Sequence, residues 1–492
     1  MSQKPAVPGV KPTRYGFPKE GPYSLSYWLQ GVQGDPLLNH RTTPELPSAA
    51  DIVIIGSGLS GTLIANHCLK TFPNKSIIVL EAREFCSGAT GRNAGHCKPD
   101  QWRGFSAYEA AFGTEQALKI LENEQATWSA LVEYIKQNNI DCDLWVGDTL
   151  DVPVTPEVAD AAKTNFDRFK AAGGKIDHIK VTHDPVEARK ISHIKSAQAC
   201  YAWSASTLYP WKLTAHIMRE NLAKGVNLQT RTKATNVAGT SDPAQLESQS
   251  QSQGKWKWVV QATRGAIHCS QVIHATNAYS SALEPSLRGL IYPSPHMCNR
   301  IKPPVEFDHS NPTGLTNSYG VLLPEGGLFS INPRRTNEGS STEGSVLFGG
   351  SNPGQAAFER WVNEPGYPER GVDDEIEVFG AVTEAVREFS EGEIVGWKAQ
   401  FRVDGWSGII GRSVDNVPWI GELPGLPGQW VCAGHNGHGM ARIFTAAPGL
   451  VKLMAGHPWA ETQLPDVYRI TPSRVNTLKQ RLGQDSGDKS HL

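Results

Sequence analysis

Short apolar runs alternate along the chain with longer segments in which apolar residues recur every three to four positions. "DIVIIG" (51–56) is a continuous apolar run ending in glycine, the pattern of a parallel strand buried on both faces. A segment of helical period follows. "SIIVLEA" (76–82) then reads as a second buried strand, and together the three predict a β-α-β unit. Helical spacing fills 108–138, and "EVADAAKTNFDRFKAAGG" (157–174) predicts a helix stopped by Gly173 and Gly174. "WKLTAHIMRENLAKG" (211–225) predicts another, leading into "VNLQTRTKATNVA" (226–238), which reads as one strand of period two. The polar run 239–255 reads as a surface hairpin loop, and 256–280 as two strands around Gly265. Between 300 and 400, "GVLLPE", "GLFSINP" and "GSVLFGG" predict an antiparallel sheet able to wall off a pocket. Residues 1–49 read as an arm whose apolar anchor is "SLSYWLQ" (24–30).

A chain of 492 residues exceeds what one core supports, so two closely joined domains are expected. The formal net charge of −2 gives no electrostatic case for nucleic acid. No apolar run reaches the length of about eighteen residues that a membrane-spanning helix needs, and the N-terminus lacks the apolar stretch of a secretory signal. Eight scattered cysteines without C-x-x-C predict reduced thiols and no zinc site. The chain ends Ser490-His491-Leu492, close to the S-K-L peroxisomal address, so a peroxisomal import receptor is an expected partner; the cytoplasm is the other location considered.

Candidate chemistry starts at Gly56-Ser57-Gly58-Leu59-Ser60-Gly61, between the first strand and its helix. In G-x-G-x-x-G the first glycine permits the turn, the second lets backbone approach a pyrophosphate, and the third packs helix on strand. Amides at the helix start then meet phosphate charge. Glu81 ends the second strand, where a carboxylate accepts hydrogen bonds from a ribose diol. A dinucleotide site follows, with NAD and FAD both open at this point. Ala82 to Asp100, rich in Gly, Ser, Thr, Arg and Asn, reads either as a solvated loop or as a wrap around a flavin. In the second reading Ser87, Thr90, Arg92 and Asn93 supply donors, and Gly88, Ala89, Ala94 and Gly95 supply backbone. Far downstream, a strand breaks into Gly434-His435-Asn436-Gly437-His438-Gly439-Met440 and resumes as a helix. A second helix start freed of side chains suits the negative charge of a reduced flavin.

These segments, with "VIHATNAYS" (272–280) and "WSGIIGRSVDNVPWIGELP" (406–424), resemble the D-amino-acid-oxidase-like flavoprotein superfamily. The "GATGRNAGH" and "ATNAY" wording is most similar to its gamma-glutamylputrescine-oxidase-like and sarcosine-oxidase-like branch. The resemblance implies a mixed α/β (α+β) fold, with a Rossmann-like FAD-binding domain interleaved with an antiparallel-sheet substrate domain. FAD-binding segments are expected at 50–105, 186–290 and 400–470. Substrate segments are expected at 106–185 and 291–399, with an arm at 1–49 and a tail at 471–492.

By the same resemblance Gly56, Gly58 and Gly61 would hold the pyrophosphate, and Glu81, Ala82 and Arg83 would lie by the adenosine ribose. Ala234 would meet the adenine. Ala275, Thr276 and Asn277 would line the cofactor, and Gly408 with Asn436, Gly437, His438, Gly439 and Met440 would sit beside the flavin ring. The cysteine that some relatives use to attach flavin is missing from the stretch containing Gly408, which favours non-covalent FAD, with His96 and Cys97 the nearest alternatives for a linkage.

The family chemistry implied is oxidation of a small amine or N-substituted amino acid. Hydride passes from the α-carbon to flavin N5, the imine is hydrolysed, and dioxygen is reduced to hydrogen peroxide. His438, His96 and Lys98 are the catalytic candidates, against the competing readings of a helix-start histidine and a surface loop. Arg334, Arg335 and Arg412 are candidate carboxylate binders. Trp397 and Trp406 read as core. A dehydrogenase with another electron acceptor, or a non-catalytic flavoprotein, remains the alternative; neither G-x-S-x-G nor a P-loop is present to support a hydrolase.

Overall fold

The computed structural model describes residues 14–18, 23–240, 256–303, 314–334, 344–364, 379–397 and 403–487. Among them, an eight-stranded and a nine-stranded sheet organise the chain. The first is centred on Ala49–Ile55, which pairs in parallel with Ile77–Leu80 on one side and Gly265–His274 on the other. Gln429–Ala433 extends it in parallel beyond Gly265–His274, and Asn227–Gln229 beyond Ile77–Leu80. Val53 and Ile54 point to opposite faces, yet both are fully buried, which is why the run is apolar without alternation. Ile54 joins the core formed with helices Leu59–Thr71, Pro210–Ala223 and Ile443–Met454. Val53 joins a second core closed by the hairpin Ala234–Gly239 and Trp258–Ala262.

The second sheet runs in the order Val403–Ser413, Ile291–Ile301, Val346–Gly349, Leu328–Pro333, Ser318–Leu322, Trp145–Pro153, Cys200–Thr207, His96–Cys97, with Lys180–Thr182 as a ninth strand paired to Cys200–Thr207. Its pairs are antiparallel except Ser318–Leu322 with Trp145–Pro153.

Several expectations change. The segment 226–238 is two strands, not one, because the chain turns at Arg231, whose φ is +51°. The long helix breaks at Gly113, φ +82°, into Phe105–Phe112 and Thr114–Gln137. Cys200–Thr207 and Val403–Ser413, which fall in the segments 186–290 and 400–470, are strands of the second sheet. The expected tail carries the helix Pro472–Gly487, whose Val475, Leu478 and Leu482 pack against the core cluster that includes Trp419 and Ile470. All eight cysteines are buried free thiols. No helix among the described residues is long and apolar enough to cross a membrane. The polar loop 241–255, Arg335 and Ser490-His491-Leu492 lie outside the described residues.

Candidate active site

The three glycines of the first turn divide their work. Gly56 has φ +109°, and a Cβ there would sit 2.7 Å from the Ala275 carbonyl oxygen. A Cβ on Gly61 would overlap the Gly56 carbonyl oxygen, so this glycine lets the helix lie on its strand. Gly58 caps the helix in an ordinary extended conformation and faces a cleft, where a Cβ would meet only Thr90 Oγ1, at 3.2 Å. The Leu59 N–H donates to that hydroxyl at 3.1 Å, tying the helix start to the 82–100 loop.

Glu81 lines the same cleft. Its Oε2 accepts the Ser57 N–H at 3.1 Å and the Ser57 hydroxyl at 2.7 Å, and Oε1 accepts the Arg83 N–H at 3.0 Å. A carboxylate accepts about four hydrogen bonds, so one position is left for a ligand hydroxyl. Leu59, Ser60, Ala82, Arg83, Gly88, Ala89, Thr90, Arg92, Asn93, Ala94 and Ala234 line this cleft too. Ser57, Gly61, Ser87 and Gly95 support it from behind. A Cβ on Gly95 would lie 2.7 Å from the Trp28 ring, and the Ser87 carbonyl accepts Arg92 Nε at 2.7 Å.

Arg92, expected as a ligand donor, lines the cleft and also braces the loop. Its Nη1 donates to Ser24 Oγ at 3.2 Å and to the Ser407 carbonyl at 3.0 Å, which staples the loop to the N-terminal arm and to Val403–Ser413. Asn93 braces the loop likewise, accepting the Gly95 N–H at 2.7 Å.

Ala275, Thr276 and Asn277 reach the cleft from the end of Gly265–His274, and Gly408 reaches it from the second sheet. Asn277 Oδ1 accepts the N–H groups of Gly434 and His435 at 3.0 and 3.3 Å, joining this segment to the late glycine turn. Asn436, Gly437, His438, Gly439 and Met440 line the cleft. The α-helix expected to start there begins later, at Ile443, after a short 3-10 turn at Gly439–Ala441. The Asn436 side chain is committed to Ser413, whose N–H and hydroxyl it meets at 2.9 Å each.

His438 Nδ1 lies 3.4 Å from Glu124 Oε2, so its imidazole is oriented by a buried carboxylate that the sequence reading missed. The available signal was a lone glutamate on the core face of the helix that also carries Ile120 and Leu131. Burial alone would raise the Glu124 carboxyl; His438, Arg442 and the Asp100 N–H outweigh it and hold it at about 2. His435 is buried near Arg442, which with burial lowers its imidazole to about 3; its Nε2 lies 3.8 Å from Cys432 Sγ.

The second sheet supplies the remaining wall. His96 has both ring nitrogens buried with no hydrogen-bond partner among the described residues, and burial with Lys98 and Arg334 lowers it to about 3, so the ring is neutral. Lys98, read as a surface-loop residue or a catalytic one, is an enclosed cation 2.5 Å from Asp151 Oδ1. Cys97 donates its thiol to the Met440 carbonyl at 3.3 Å, and burial pushes its pKa far up. Arg412 lines the cleft, whereas Arg334 is buried between Thr207 Oγ1 and the Asp143 carbonyl. Trp397 and Trp406 are core residues. No three His, Cys, Asp or Glu side chains among the described residues gather as a metal site.

The cleft measures about 2930 Å³. A drug-sized ligand fills roughly 300–1,000 Å³, so there is room for a dinucleotide and a second molecule. The open cradle at Gly58 and the free acceptor position on Glu81 fit the pyrophosphate and ribose of FAD.

Comparison with known proteins agrees. Residues 51–456 match the DAO family, described as FAD dependent oxidoreductase. Gamma-glutamylputrescine oxidoreductase of Escherichia coli (strain K12) is 24% identical over 240 residues, covering 48% of this chain and 51% of that protein. The match thus spans about half the length of this curated relative. Glycine oxidase from Geobacillus kaustophilus superposes with a TM-score of 0.63 at 19% identity, over 87% of this chain and 99% of the other. Iminodiacetate oxidase from Chelativorans sp. BNC1 superposes with a TM-score of 0.59 at 15% identity, over 83% and 96%. With the family match running through both glycine turns and most of its length, the chain belongs to the DAO family of FAD-dependent oxidoreductases.

Proposed function

We propose that the protein oxidises the carbon–nitrogen bond of a small amine or N-substituted amino acid and passes the electrons to dioxygen, releasing hydrogen peroxide. The observation that carries the reading is the joining of both glycine turns in one cleft walled by the neutral His96. The names of the gamma-glutamylputrescine, glycine and iminodiacetate enzymes support the substrate class.

In this reading the amides at Gly58 and Ser60 take the pyrophosphate, Glu81 the ribose and Ala234 the adenine, while the Leu59 amide stays with Thr90. Thr276, Asn277, Gly408 and the 436–440 turn flank the flavin. Bound FAD supplies the hydride acceptor. The chain orients the amine and keeps water out. His96 is too weakly basic to hold a proton at neutral pH, so it accepts a hydrogen bond from an amine that arrives uncharged. His438, held by Glu124, directs its ring from the late turn.

The test is anaerobic mixing of the yellow holoprotein with polyamines, N-methyl amino acids and D- and L-amino acids, followed by oxygen. Bleaching by one class, with recovery in seconds and peroxide release, is expected. Bleaching without recovery would make the protein a dehydrogenase, and no bleaching by any amine would end the reading.

A further inference from the structure

Part of the cleft wall is an ionic trio that the cofactor reading does not use. Asp151 is 1% exposed, and its carboxylate meets Lys98 Nζ at 2.5 Å and Arg103 Nη1 at 3.3 and 3.4 Å. The neighbouring Ser318–Leu322 strand places Gly320 beside Asp151. A Cβ there would overlap Asp151 Oδ1 and lie 2.8 Å from Lys98 Nζ, so a larger residue would displace the ends of the trio. Lys98 Nζ is further held 5.0 Å from the centre of the Trp203 ring.

Within the trio one carboxylate contacts both an ammonium and a guanidinium, and Asp100 and Glu124 act on Arg103 only through space. Arg103 is the more open of the two at 26% exposed, and only its Nη1 is engaged, so among the described residues Nε and Nη2 remain available. Asp100 does not absorb this charge through a side-chain pair. Its oxygens accept the backbone N–H groups of Arg103 and Gly104 at 3.0 and 2.9 Å and make no contact with the Arg103 guanidinium. A guanidinium with a free edge beside a buried carboxylate matches an incoming carboxylate in a two-point contact.

We propose that Lys98, Asp151 and Arg103 form a carboxylate subsite for the end of the substrate remote from the oxidised carbon. The preferred class is then an amine that carries a distal carboxylate. Asp151 fixes the two cations, and Arg103 makes the contact. The proposal deepens the amine-oxidation reading and rests on it for the identity of the other end.

Its test separates the two. Pentanoate and 1-pentanol, which carry no amine and cannot be oxidised by this route, are titrated into the FAD-loaded protein by calorimetry. Pentanoate is expected to bind at least tenfold more tightly than pentanol, a difference of about 1.4 kcal/mol. Arg103→Gln is expected to remove that preference, leaving pentanol unchanged, and Arg103→Lys to restore part of it. Equal binding of the two probes by the unaltered protein would overturn the proposal whether or not the variants fold, as would an Arg103→Gln protein that keeps the preference. In parallel, 5-aminopentanoate is expected to reduce the flavin at lower concentration than pentylamine. If neither amine reduces it, the amine reading fails while the pentanoate titration still decides the subsite.

Discussion

Glu124 and Arg442 form a buried ion pair, Oε1 to Nη2 at 3.0 Å, although 318 positions separate them in the chain. The pair sits at the centre of a network. Arg442 also donates to the His435 carbonyl at 3.1 Å and to the Tyr108 hydroxyl at 2.9 Å, and Glu124 accepts the Asp100 N–H at 2.8 Å. The late glycine turn and the 100–104 turn are therefore held against each other by charges enclosed in protein.

Removing one member leaves the other charged and without water. Breaking a buried pair in this way costs about 3–5 kcal/mol, and Glu124→Gln is expected to lose that much in urea unfolding of the holoprotein. The double change Glu124→Leu with Arg442→Met is expected to recover most of the loss. A single variant within about 1 kcal/mol of the parent would show that water reaches the site.

Acid should weaken the fold earlier than carboxylate titration alone predicts. Burial is the largest cause in each of four depressed histidines: His96 and His435 at about 3, His67 and His296 at about 4. In the unfolded chain they titrate near 6.5. Below that value the unfolded state binds protons that the folded state refuses, so stability falls as pH drops from 6.5 toward 3 and is level above 6.5. Glu124 adds a second leg. Its contribution is full above 4.5 and is lost as pH falls through about 2. Urea midpoints measured from pH 8 to pH 4 test the first leg, and a flat profile down to pH 5 would refute it.

Much of the first sheet is legible because burial on both faces demands apolar runs, and the run at Ile52 to Ile55 leaves no other reading. The turns were legible for a similar reason, since Gly56 and Gly61 occupy places that backbone atoms deny to any Cβ. Sheet membership was not legible. A strand such as Val403–Ser413 does not carry in its own residues which sheet it joins, and the choice is made by partners such as Ile291–Ile301 far along the chain. Side-chain commitments were equally hidden. Nothing near Arg92 in the chain shows that its Nη1 is tied to Ser24 and Ser407, and Asp151 gives no local sign that Lys98 and Arg103 converge on it.

The flavin should be released by denaturation. Gly408 offers no nucleophile, and Cys97 is turned to the Met440 carbonyl with its thiol held protonated by burial. Acid precipitation of the yellow protein is expected to leave all the colour in the supernatant. Colour retained by the washed pellet would point to His96 as the attachment atom's owner, and His96→Ala would then release it.

Gly58 and Gly61 should fail in different ways. At Gly58 the backbone is extended, φ −66°, so a larger residue is tolerated by the chain, at a cost of about 1 kcal/mol in lost helix-cap preference. Its added atoms enter the cleft beside the helix start, where phosphate oxygens would lie. Gly58→Val is expected to fold, with unchanged far-ultraviolet dichroism, and to bind FAD at least a hundredfold more weakly. At Gly61 even one added carbon meets the Gly56 carbonyl oxygen, and the helix Leu59–Thr71 must move off its strand. Gly61→Val is expected to be insoluble or to unfold at much lower urea, with or without cofactor. A Gly58→Val protein that purifies fully yellow would break the link between this turn and the pyrophosphate, whereas a stable Gly61→Val protein would show that the helix has room the geometry denies it.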